Sequence, residues 1–440
     1  MMRQLISVCV GLVLFGGLHS AAADPVLSGR ILNPVTSAEP VAGTRDPSVS
    51  GDGRFIFFVS TSNNLGVIAN GAFNVYRADL SGATPPALSL VLAMQGLGNG
   101  NSFAPSSSHA GSVFAFETLA TNLGGNQSGF SDVYVSYQIS LPQDEIGFDT
   151  TLVSRGVGGT TPNGASRNAS TSADGRFVAF WSDAENLIAN DNNNAPDIFI
   201  VDVDGGLLGP TERVSVDSNE AQIPGYSRAL TNNAVSTAGR YVVFAADAAI
   251  DGANPGNLED VFIRDRTAGT TNLISKFSSG APFAASSDQA AISSNARYVV
   301  FRSFQTGTGI GTSRIFLRDL QLATTSSIAA PPATTFCQEP QVSDDADIVM
   351  QCSSSLGGIQ QQAWFRRGND GAFFRLSSTP MNADGNGVSG NLTDLSDHGD
   401  VVAFDTDASN LDPGDGNSSP DVFVAIEESV LYAIFRDGFE

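Results

Sequence analysis

Seven times along the chain a polar tight turn is followed by an almost unbroken apolar run. The copies are Ser50-Gly-Asp-Gly-Arg-Phe-Ile-Phe-Phe58, Ser108-His-Ala-Gly-Ser-Val-Phe-Ala-Phe116, Ser172-Ala-Asp-Gly-Arg-Phe-Val-Ala-Phe180, Ser236-Thr-Ala-Gly-Arg-Tyr-Val-Val-Phe244, Ser293-Ser-Asn-Ala-Arg-Tyr-Val-Val-Phe301, Ser343-Asp-Asp-Ala-Asp-Ile-Val-Met-Gln351 and Ser396-Asp-His-Gly-Asp-Val-Val-Ala-Phe404. The turn residue falls at Gly53, Gly111, Gly175, Gly239, Ala296, Ala346 and Gly399, so successive copies lie 50 to 64 residues apart. A recurrence at that period marks a repeat architecture in which each copy is one supersecondary unit.

The third copy shows how a unit is built. A short strand around Ala169 to Ser172 enters the turn, and Phe177-Val-Ala-Phe180 returns as a second strand. Its consecutive apolar residues predict burial on both faces. Asp197-Ile-Phe-Ile-Val-Asp202 gives a third strand and Glu212-Arg-Val-Ser215 a fourth, making a four-stranded antiparallel meander. The third-strand pattern recurs as Asn74-Val-Tyr-Arg-Ala-Asp79, Asp132-Val-Tyr-Val135, Asp260-Val-Phe-Ile-Arg-Asp265, Arg314-Ile-Phe-Leu-Arg-Asp319 and Asp421-Val-Phe-Val424, with Ala363-Trp-Phe-Arg-Arg367 in the sixth repeat. Sheets buried on both faces must be sandwiched between neighbours, which radial packing into a β-propeller achieves. The seventh repeat has no clear fourth strand after Val424, and Gly29-Arg-Ile-Leu-Asn33 supplies a candidate. The expected fold is therefore all-β: a seven-bladed β-propeller of four-stranded antiparallel blades over 24–426, closed by an N-terminal strand that removes an exposed edge.

Ser-x-Asp-Gly-Arg-Phe/Tyr-Val-x-Phe followed by Asp-Val-Phe-x-Arg-Asp resembles the repeat signature of TolB-like, WD40-like (PD40-type) bacterial propellers, from about Gly29 to Val424. The resemblance implies the fold and a habit of binding partners; such repeats share no single activity.

Residues 1–23 read as a secretory signal, with Arg3 ahead of an apolar stretch over 5–18 and Ala21-Ala22-Ala23 before Asp24. An exported chain is expected, bound for the periplasm, cell surface or medium of a Gram-negative bacterium, and no later segment is long and apolar enough to cross a bilayer. The formal charge is −23, and loss of Arg3, the only charged side chain of the signal, takes it to −24. Such a surface repels phosphate backbones and anionic headgroups, which disfavours nucleic-acid and membrane-surface partners. Two cysteines follow the signal, Cys337 and Cys352, on either side of the sixth turn. A hairpin there sets them nearly opposite, and export permits a disulfide, expected to contribute about 3 kcal/mol. The tail over 427–440 ends in Phe435-Arg-Asp-Gly-Phe-Glu440, similar to a short ending of exported proteins of some Gram-negative bacteria. That likeness implies a sorting tag; a final strand or plug is the alternative.

Candidate chemistry is sparse. The loop ahead of the third strand twice fits Asp-x-Asn-x-x-x-Asp, at Asp191, Asn193, Asp197 and at Asp415, Asn417, Asp421, giving three side-chain oxygens of the kind calcium takes. Looser versions are Asn126, Ser128, Asp132 and Asn254, Asp260. The same residues favour turns for conformational reasons, and the recurring aspartate equally suits backbone amides at the strand entrance. Arg54, Arg176, Arg240 and Arg297 follow their turns and are expected to pair with carboxylates between blades. His109 and His398 occupy turn positions, with no nucleophile and orienting group in sight and no zinc spacing. The turn departs from the Asp-box of sialidase propellers, because glycine directly follows Asp174 and the terminal tryptophan is missing. The propeller is expected to use up the chain, leaving no room for an α/β-hydrolase domain.

The function expected is an exported, non-enzymatic propeller that binds a protein or glycan partner at a ring face or the channel, with no catalytic residues and calcium the one candidate cofactor. The alternatives are an extracellular hydrolase or lyase acting on polymers, and a structural envelope component.

Overall fold

The computed structural model describes residues 26–427 apart from 33–37, 66–69, 81–86, 91–96, 125–128, 141–145, 229–230, 249, 251–257, 306–311, 355–360, 380, 382 and 418. The expected signal, Asn126, Ser128, Asn254 and all of the tail after Glu427 lie outside the described residues.

Seven four-stranded antiparallel sheets follow one another, the first six each a consecutive meander. The seventh takes Ser389–Leu395, Val401–Thr406 and Asp421–Glu427 from the last repeat and Val26–Arg30 as its outermost strand. Gly29 pairs with Val424 and Arg30 with Phe423, so the first and last described strands share one blade. The N-terminal strand closes the ring.

Blade packing follows from the apolar second and third strands. Phe55–Ser60 is buried at every position. The last aromatic of each run stacks on the aromatic opposite it, as in Phe180 with Phe199, Phe244 with Phe262, Phe301 with Phe316 and Phe404 with Phe423. Core clusters lie between blades, one of them joining Ile31 and Val424 to Phe58 and Tyr76 across the closure. The turns pack tightly as well: Gly239 has φ +63°, and a Cβ there would lie 2.5 Å from the Phe177 ring of the preceding blade. At the fifth and sixth turns Ala296 and Ala346 hold the same left-handed conformation.

Two departures from the regular repeat matter. In the fourth blade the innermost strand shrinks to Ser227–Arg228. In the sixth, Gln351 faces Ala363 where other blades stack rings, and its side chain instead accepts from Gln338 Nε2 (2.6 Å) and donates to the Ser389 carbonyl (3.1 Å). The expected inter-blade pairing of the turn arginines is corrected: Arg54–Asp79, Arg176–Asp202, Arg240–Asp265 and Arg297–Asp319 each join strands of one blade. The register explains it, since Phe55 pairs with Asp79 and the preceding arginine therefore flanks that carboxylate.

Cys337 and Cys352 are direct partners in the sixth blade, both buried, with Cα atoms 4.2 Å apart, close enough to be joined as a disulfide. Replacing both by serine is expected to destabilise the chain by about 3 kcal/mol in denaturant unfolding, through a less constrained unfolded state. An unchanged unfolding midpoint under oxidising conditions would deny the crosslink that role.

Candidate functional site

The innermost strands line a central channel, and its two ends differ. At the turn end Asp397 reaches across: His109 Nδ1 lies 2.6 Å from its Oδ2, and Ser294 donates to its Oδ1. The carboxylate sits between the imidazole and the hydroxyl, so this is a clasp between blades two, five and seven, not a catalytic triad. Deeper in, the shortened fourth-blade strand lets Asn232 and Asn233 enter the channel. The Asn232 carbonyl accepts from Ser106 (3.0 Å) and Ser170 (2.8 Å), and Asn233 Nδ2 donates to Asp394 Oδ1 (2.7 Å). Asp394, 1% exposed, also accepts from the Val49 N–H, yet burial raises its pKa to about 6. These cross-channel bonds seal that end. A shallow cavity of about 650 Å³ remains above the clasp, lined by His109, Arg240, Tyr241, Asn295 and Asp344, but Arg240 and Asp344 already hold Asp265 and the Asn295 N–H.

The opposite mouth is built by a repeated backbone irregularity. Near its start the innermost strand bulges, and Asp46, Ala104, Asn168, Gln289, Glu339 and Gly390 take positive φ in six blades. Each displaced N–H needs an acceptor, and carboxylates supply several: Ala104 N–H donates to Asp46 (3.2 Å), Asn168 N–H to Glu117 (3.1 Å) and Leu392 N–H to Asp405 (3.1 Å). Gln289 Nε2 donates to Glu339. So few donors do not offset lost hydration, and burial raises all four pKa values, Glu339 and Asp405 to about 7. Asp405 and Glu117 both also feel the charge of Asp46, which places carboxylates of three blades in one field. Beside them arginines stack on rings: Arg45 on Phe73 (4.9 Å), Arg167 on Trp181 (5.3 Å) and Arg302 on Phe304 (5.1 Å). Raised carboxyl groups, planar cations and half-buried aromatics therefore surround one channel mouth, a combination suited to hydrogen-bonding and stacking against a polar ligand. No sequence motif marked this site, because each blade contributes one or two residues of differing type.

The loop aspartates have a different setting. Asp132, Asp197 and Asp260 each accept from a serine two residues past the fourth strand, Ser154 (2.8 Å), Ser215 (2.6 Å) and Ser275 (2.7 Å). That serine accepts the next backbone N–H, of Val133, Ile198 or Val261, at 3.1 Å. The strand-entrance amide is thus reached through a relay. In the third blade a guanidinium occupies the centre of the set read as calcium ligands: Arg213 lies 2.9 Å from Asp191 and 3.3 Å from Asp197, while Gln222 donates to both, at 2.7 and 3.0 Å. Asn193 Nδ2 donates to the Ile223 carbonyl (2.9 Å) and at 3.5 Å to Asp197, and its Oδ1 accepts from the Ala195 N–H. In the seventh blade Asp415 and Asp421 meet Glu39, one oxygen of each lying within 4.8 Å of the others, an arrangement able to hold a metal ion. The Asn417 side chain turns away, bonded to the Pro40 carbonyl and the Ser419 N–H, while its own backbone N–H donates to Glu39 (3.2 Å). Glu39 was not legible as a member, since it lies at the other end of the chain.

No protein-family model matches the chain, and no curated protein does either. Solved structures do: an oligogalacturonate lyase from Vibrio parahaemolyticus, 12% identical, with a TM-score of 0.54 over 93% of this chain and 100% of that one. An oligogalacturonate lyase in complex with manganese, also 12% identical, gives 0.55 over 96% and 98%. At such identity these likenesses show the fold alone.

Proposed function

We propose that this chain is an exported, non-enzymatic binding module that takes a protein or glycan partner at the carboxylate-lined mouth. The observation that carries this reading is the asymmetry of the channel. One end is locked by Asp397, Asn233 and Asp394, whereas the other gathers Asp46, Glu117, Glu339 and Asp405 with three arginine–aromatic stacks. Carboxyl and guanidinium groups give directional hydrogen bonds, and the rings give stacking area. The net charge of −23 favours a partner with cationic or neutral hydroxyl-rich chemistry.

A second reading rests on the same residues. Carboxyl groups titrating near 7 suit general acid or base catalysis, so a hydrolase or lyase acting on polymers shares the site. An array of glycans and basic peptides, probed with the wild type and with Glu339→Gln/Asp405→Asn, separates the two. Binding that falls at least tenfold in the variant, about 1.4 kcal/mol or more, with every array member left intact, is the expected result. Cleavage of a member, lost in Glu339→Gln, makes the chain an enzyme.

A further inference from the structure

The third and seventh blades carry the same polar framework with different charges. Arg213 pairs with Phe199 and Arg30 with Phe423, which superimposes Asp197 on Asp421, Asp191 on Asp415, and Gln222 on Glu39 nine residues beyond each arginine. Counting back along the loop places Asp412 where the third blade has Ile188. The third-blade set thus holds two carboxylates and one guanidinium, a formal −1. The seventh-blade set holds Glu39, Asp412, Asp415 and Asp421 against Arg30 alone, a formal −3.

The relay serine is also missing. Leu32 stands where Ser215 would be, two residues past the arginine, and the Val422 N–H is taken by Thr44 Oγ1 at 2.7 Å instead. Asp421, 1% exposed, is left with a buried Oδ1 that has no hydrogen-bond partner, and Asp415 Oδ1 is buried and unpartnered too. A buried carboxylate oxygen without a donor is costly.

We infer that Glu39, Asp415 and Asp421, with Asp412 adjoining, form a binding site for a hard divalent cation, calcium foremost, that fastens the N-terminal segment to the last blade. A divalent charge returns the set to −1, the value of its third-blade counterpart, and supplies the orphaned oxygens with a partner. All available donors are oxygens, as calcium and manganese accept. The third-blade set, already filled by Arg213 and neutral Gln222, takes none.

The test uses the chain 24–440, stripped with chelator, titrated with calcium chloride and separately with manganese chloride, with thermal unfolding read in parallel. One ion bound per chain and a melting point that rises with ion concentration are expected, at affinities up to about 1 mM. Glu39→Gln, which copies the third blade, should weaken binding at least tenfold while melting no lower than the wild type in chelator. Asp191→Asn should bind as the wild type does. Neither ion binding the wild type at about 1 mM, or Glu39→Gln binding undiminished, would overturn the proposal.

Discussion

Arg30→Ala is expected to destabilise the folded chain by about 3 to 5 kcal/mol, the cost of leaving a buried ionic cluster without its counter-charge. Arg30 is 7% exposed and lies 2.6 Å from Asp412, 3.0 Å from Glu39 and 3.4 Å from Asp421. Without it, four carboxylates face one another where the N-terminal strand closes the ring. Lysine should rescue little, because one ammonium cannot reproduce the planar fork that spans several carboxylates. The loss should shrink in acid, where the carboxylates protonate. Arg213→Ala should cost less, since Gln222 still donates to both Asp191 and Asp197. Denaturant unfolding of the three variants at neutral pH checks this, and equal losses for Arg30→Ala and Arg213→Ala would contradict the charge argument.

Stability should also rise as the solution is acidified from pH 8 to pH 5. Burial raises Asp197, Asp260 and Asp394 to about 6, and Glu339, Asp405 and Asp421 to about 7. Unfolded, these groups release their protons near pH 4. Between the two values the folded chain binds more protons than the unfolded one, so stability falls as pH rises through about 4 to 7. At pH 8 the full penalty is present. At on the order of 1 kcal/mol per group, the six together give several kcal/mol and a melting point higher by about 5 °C at pH 5. Below that window the sign reverses. Asp202 and Asp265, lowered chiefly by hydrogen bonds from Arg176 and Arg240, contribute stability that is lost as pH falls through their folded values. A melting point that is flat or falling from pH 8 to pH 5 would contradict the burial of these carboxyl groups.

The ring was legible because its determinants are local and repeated. The turn glycines, the apolar second strands and the missing seventh outer strand each leave a mark within a few residues, and the N-terminal closure follows from them. The sites were less legible because their determinants are distant. Glu39 joins Asp415 only through circular closure, and Glu117 and Asp405 come into the field of Asp46 only once the ring has closed. The bulges that expose the channel N–H groups fall on Asp46, Ala104, Asn168, Gln289, Glu339 and Gly390, residue types with no common propensity. The shortened fourth-blade strand that brings Asn233 to Asp394 was likewise hidden, since Val235 and Val242 still read as an ordinary hairpin and form only an isolated bridge. Where sequence spacing was read as calcium chemistry in the third blade, the guanidinium of Arg213, on another strand, fills the place between the aspartates.

The most direct test of the binding account is comparative capture from envelope and culture extracts of the source cell. Three immobilised forms of the chain 24–440 would be compared: the wild type, Glu117→Gln/Glu339→Gln/Asp405→Asn at the open mouth, and His109→Ala at the sealed end. One partner should be enriched by the wild type and by His109→Ala but lost from the mouth variant, with all three folded by circular dichroism. A partner retained by the mouth variant and lost from His109→Ala would place recognition on the turn face and contradict it.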